Sequence, residues 1–84
     1  MAAAANALAW LLANLNEDLD EAHEMARVAV GLEPRNPSFL DSFAYCEFKK
    51  GNRKEAIALQ KRAVYLAPDD LEMKNRLNKY LAGN

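Results

Sequence analysis

The chain has 84 residues and a mass of 9.4 kDa, room for one domain spanning 1–84. Hydrophobic residues make up 51% and charged residues 27%, which excludes disorder by composition. The formal charge of −1 hides a gradient: residues 1–47 hold eight acids against two bases, and residues 48–84 hold nine bases against four acids.

Taken in chain order, the apolar spacing predicts five helices and no strand. Leu8, Leu11, Leu12 and Leu15 recur at steps of three and four, giving a first helix near 3–15. Asp18 followed by Glu21 has the spacing of a capping box and opens a second helix over 19–32, with Ala22, Met25, Ala26, Ala29 and Val30 on one face. Asn36 before Pro37 is a cap followed by a proline at the first helical turn, so a third helix covers 37–50, with Phe39, Leu40, Phe43, Ala44 and Phe48 facing inward. Gly51 ends that helix in the left-handed conformation. Asn52 with Glu55 starts a fourth over 53–66, whose apolar face carries Ala56, Ile57, Ala63, Val64 and one polar residue, Gln60. Asp69 with Glu72 starts a fifth over 70–82, through Met73, Leu77, Tyr80 and Leu81. The connections are short, so neighbouring helices run antiparallel. The expected core is Leu8, Leu12, Ala22, Ala29, Leu40, Phe43, Ala44, Ala56, Ala63 and Leu77.

An offset of 34 residues lays Glu21 on Glu55, Ala22 on Ala56, Ala29 on Ala63, Val30 on Val64, Leu32 on Leu66 and Pro34 on Pro68. A period of this length marks a helical array. The pattern resembles the tetratricopeptide repeat, a helix–turn–helix unit. Residues 37–70 form the better match: Leu40, the Phe43-Ala44 pair, Gly51 in the turn, Ala56, Ala63 and Pro68 stand at the family's positions. Glu47 and Gln60 replace its usual aromatics. Residues 2–36 match through Leu8-Ala9, Ala22, Ala29 and Pro34, with Ala5 in place of the usual tryptophan and one extra residue around Asn16–Asp18. Residues 71–82 resemble the solvating cap helix that closes such arrays, with Lys74, Arg76 and Lys79 on its outer face.

The resemblance implies an all-α superhelix of antiparallel helix pairs and a concave groove that binds a protein or peptide. The groove residues it implies are Asn6, Trp10 and Asn14 from the first helix. The third helix gives Ser38, Asp41, Ser42, Tyr45, Phe48 and Lys49, and the fifth Asn75 and Lys79. Family members that grip a C-terminal carboxylate use a basic clamp of which only fragments are present, at Asn6, Trp10 and Ser42. A mainly uncharged, aromatic groove instead suits an extended or helical segment with apolar anchors. The alternative is a structural module whose partner is a second copy of itself, forming a homodimer.

Other chemistries find little footing. Cys46 excludes an internal disulfide, and as a lone cysteine among small residues it is expected to be a buried hydrophobe. His23 has no second ligand or base partner in the pattern and is expected on the surface. No catalytic set, phosphate loop or Cys/His metal motif is visible, so the chain is expected to be neither an enzyme nor a cofactor or metal binder. Lys49, Lys50, Arg53 and Lys54 form a basic cluster, but a pI near 5.8 argues against nucleic acid. The longest apolar run, Ala7 to Ala13, is too short for a membrane span and no basic residue precedes it, so a cytoplasmic location is expected.

Overall fold

The computed structural model describes residues 2–83 and is all-α: α1 (Ala2–Asn14), α2 (Leu19–Leu32), α3 (Pro37–Lys49), α4 (Arg53–Leu66) and α5 (Leu71–Ala82). Each helix packs antiparallel on the next, α1 also touches α3, and the described residues contain no strand. The second and fourth helices have the bounds expected from sequence; the first lies one residue earlier, the third ends one residue sooner and the fifth starts one residue later.

The turns follow from a few side chains. Between α1 and α2, Asn16 and Asp18 both take positive φ, 58° and 44°, a conformation that Asn and Asp tolerate better than most residues. The extra residue of this turn is absorbed there. Asp18 accepts from the Glu21 amide at 3.4 Å. Asn36 caps α3 by accepting from the Phe39 amide at 3.2 Å, with Pro37 in the first turn. Gly51 takes φ 89° beyond α3. Two expected caps are corrected. Asn52 makes no cap bond and instead donates its amide to Glu47 Oε1 at 2.9 Å. The fifth helix starts at Leu71, so its cap is Asp70, accepting from the Met73 amide at 3.0 Å, rather than Asp69.

The helices meet through small residues. Ala9, Ala13, Ala22, Ala26 and Cys46 are fully buried where α1, α2 and α3 converge, and Ala44, Ala56 and Tyr80 are buried where α3, α4 and α5 converge. Alanine faces let helix axes approach closely. This corrects part of the expected core. Leu8 is 39% exposed because α1 turns its Ala2, Ala9 and Ala13 side inward, and one residue of helix rotates a side chain by about 100°. Leu12, Phe43 and Leu77 are half-buried at the edges. Ala22, Ala29, Leu40, Ala44, Ala56 and Ala63 are completely buried.

Buried polar groups tie the helices together. Gln60 lies inside and donates to Asp41 Oδ1 at 2.8 Å and to the Met73 carbonyl at 3.0 Å, linking α4 to α3 and α5. His23 is half-buried rather than on the surface. Its Nε2 lies 3.0 Å from Glu47 Oε1 and its ring packs on Phe43, so it stitches α2 to α3. Arg53 donates from α4 to the Tyr80 and Leu81 carbonyls at the end of α5.

Candidate functional site

On α1, Asn6, Trp10 and Asn14 are spaced four apart and share one side of the helix. On α3, Ser38, Asp41, Ser42, Tyr45 and Lys49 follow steps of three and four in the same way. On α5 the corresponding positions are Glu72, Asn75, Arg76 and Lys79. These three sides converge. Asn6, Ala7, Trp10, Ser38, Asp41, Ser42, Glu72 and Arg76 line an open recess of about 470 Å³. A smaller hollow of about 220 Å³ continues along Glu72, Asn75, Arg76 and Lys79.

From the recess a ladder of packed groups runs outward, from Arg76 on α5 over Trp10 on α1 to Tyr45 and Lys49 on α3. Lys49 Nζ lies 5.8 Å from the Tyr45 ring centroid, and the Tyr45 and Trp10 centroids are 4.5 Å apart at 31°. The Arg76 guanidinium lies 5.2 Å from the Trp10 ring. Arg76 then grips Asp41 with two parallel bonds, Nε to Oδ1 at 2.9 Å and Nη2 to Oδ2 at 2.7 Å. Burial opposes the Arg76 charge, but hydrogen bonding to Asp41 and its negative charge outweigh this and hold the guanidinium above its ordinary pKa. The Tyr45 hydroxyl donates to Asn14 Oδ1 at 3.2 Å, so Asn14 joins the far end of the ladder. Ser42 Oγ donates to the Ser38 carbonyl at 3.1 Å. Asn6 Oδ1 is buried and has no hydrogen-bond partner.

Ten of the eleven residues singled out from sequence therefore line the recess, its side hollow or the ladder. Phe48 does not. Its ring stacks on Tyr80 with centroids 4.5 Å apart and packs into the seam of α3, α4 and α5. Asp41 and Ser42 reach the recess but are mostly buried, so they shape its wall. The recess is also less uncharged than expected, since it holds the Asp41–Arg76 pair and the Glu72 carboxylate. Arg76 and Glu72 were missed by sequence reasoning. Their spacing of four, with Lys79 three residues beyond Arg76, is the signal that places them on one side of α5. Arg76 thus turns into the recess instead of onto the outer face expected for it, and Lys79 lines the side hollow.

A hollow of about 270 Å³ lies between the α2–α3 loop and α4, lined by Pro34, Arg35, Lys61, Arg62, Tyr65 and Leu66, so it draws on two elements rather than three. A hollow of about 560 Å³ is formed by the consecutive residues Glu33–Pro37 of one loop. Among the described residues, no cluster of His, Cys, Asp and Glu could hold a metal ion, and no helix is long and apolar enough to cross a membrane. Cys46 is fully buried, and burial, helped by neighbouring Glu47 and opposed by Lys50, pushes its thiol up to about 11. Both Asp41 oxygens are engaged, Oδ1 by Arg76 and Gln60 and Oδ2 by Arg76. No protein-family model matches the chain, and no curated protein is significantly similar to it.

Proposed function

We propose that this chain is a tetratricopeptide-like interaction module that holds a segment of a partner protein in the recess between α1, α3 and α5. The observation that carries the reading is the convergence of three helix faces on one concavity lined by Trp10, whose ring is backed by Tyr45. Aromatic groups with a polar edge supply much of the affinity at recognition sites. The Arg76–Asp41 pair and the Tyr45–Asn14 bond fix those rings before a ligand arrives, which lowers the ordering cost of binding. Around the rings, Asn6, Ser38, Glu72, Asn75 and Lys79 offer hydrogen-bonding groups to a main chain. The two departures from the family pattern, Glu47 and Gln60, are buried and each pairs with a neighbouring helix, Glu47 with His23 on α2 and Gln60 with Asp41 on α3. The preferred ligand is an extended or helical segment with apolar anchors that needs no free C-terminal carboxylate.

Trp10 is the sole tryptophan, so its fluorescence reports on the recess directly. Peptides selected from a random library on the immobilised chain are titrated against it. Ser38 is exposed at the recess, and Ser38→Phe is expected to weaken the selected peptides roughly tenfold while Lys61→Ala leaves them unchanged. Equal affinity for both variants would move the binding surface elsewhere.

A further inference from the structure

The outer side of α1 is apolar, and α2 beside it exposes apolar groups among charged ones. Leu8 and Leu11 on α1, with Leu15 in the turn just beyond it, are all exposed, Leu11 at 52%. Val28 and Leu32 are exposed on α2. Between them, Leu12 and Met25 are half-buried against the cluster that joins the two helices. No charged residue occurs anywhere in α1. Four exposed large aliphatic groups on two adjacent helices, and a fifth in the turn that joins them, are more than scattered surface leucines. The opposite end of the molecule carries its own stripe on α5: Leu71, Lys74, Asn78 and Leu81 are all exposed, and Leu71 is 70% so. The α5 outer face is therefore only partly polar.

Charge selects between the ways these ends could meet. The α1–α2 end lies in the acidic half, with Glu17, Asp18 and Glu21 exposed around it. The α4–α5 end lies in the basic half: Lys54 and Lys61 on α4 and Lys74 on the α5 stripe are exposed and pair with no carboxylate among the described residues, and they outnumber the exposed acids Asp69 and Glu72 that flank Leu71. Two copies meeting α1 to α1 set acidic halves against each other, and two meeting α5 to α5 set basic halves together. Only a head-to-tail contact joins apolar to apolar and acid to base.

We propose that a second copy of the chain docks head to tail, its α5 face on the α1–α2 face of the first. The leucines supply the affinity and the charges fix the orientation. Such a contact is heterologous, so it leaves a free face at each end and builds chains of more than two copies unless the rotation closes. It stands apart from the recess between α1, α3 and α5 and does not depend on that recess binding anything.

Two exposed substitutions separate the possibilities. Leu11→Lys blocks the α1–α2 face and Leu71→Glu blocks the α5 face, each by setting a like charge against the partner surface. Helical circular dichroism confirms that each variant is folded. Sedimentation velocity is run from tens of micromolar to near-millimolar protein, at low and high salt. The wild-type chain is expected to grow with concentration and to loosen in high salt, where charges are screened beyond about 3 Å. Each variant alone is expected to be monomeric. An equimolar mixture of the two regains one working contact and is expected to associate under conditions where neither variant alone does. A wild-type chain that stays monomeric at the highest concentration in low salt overturns the proposal. So does association that survives Leu71→Glu, which would mark a two-fold contact through α1–α2.

Discussion

Asp41 joins three helices through one carboxylate. It takes two bonds from Arg76 on α5 and one from Gln60 on α4, and it lies almost wholly inside. Removing it strands a guanidinium that is only a quarter exposed, together with a buried amide donor. Asp41→Ala is expected to cost about 2–3 kcal/mol in urea unfolding, below the range for a fully buried pair because Arg76 keeps some water. Asp41→Ala combined with Arg76→Leu should cost less than the two single changes added together, since neither partner is then stranded. Strict additivity would show that the pair is not coupled. Cys46 makes a different test. Its thiol is raised to about 11, so it stays protonated and shielded at neutral pH. A folded pKa above the unfolded one means that this burial stabilises fully below the unfolded thiol's pKa and is lost as pH rises toward 11. A disulfide reagent at pH 8 is expected to label the native chain slowly and the guanidinium-unfolded chain at once. Immediate labelling of the native chain would contradict the burial.

At the level of elements, helix existence was legible because each helix repeats its apolar residues at the helical period. Starts were legible where a side chain both fits and reaches the cap, as at Asn36. Where two acids stand side by side, at Asp69 and Asp70, pattern alone does not decide which one caps, and the start at Leu71 selected the second. The α1 face was read one residue off, since four leucines outweigh alanines in any hydrophobic count. The fold chose the alanines because they permit a closer helix approach. The same physics governs Ala56, fully buried between α3, α4 and α5. Ala56→Leu is expected to destabilise by roughly 1–3 kcal/mol through overpacking. An unchanged thermal midpoint would mean that this seam has room the packing does not suggest.

For the whole molecule, the recess was legible wherever polar and aromatic residues recur every three or four positions along α1 and α3. Phe48 was misassigned because the same spacing serves the core one step around the helix, where Tyr80 takes it up. Arg76, Gln60 and His23 were harder to find, because their partners Asp41 and Glu47 are distant in sequence and nothing local announces the pairing. In the proposed reading, α1, α3 and α5 together form the binding face. The most direct test is a two-dimensional amide spectrum of the isotopically labelled chain, titrated with a library-selected peptide. The expected result is a set of shifts at Asn6, the Trp10 indole N–H, Ser38, Tyr45, Asn75 and Lys79, with the outer sides of α2 and α4 unmoved. Shifts centred on Val28, Lys61 and Tyr65 would contradict it.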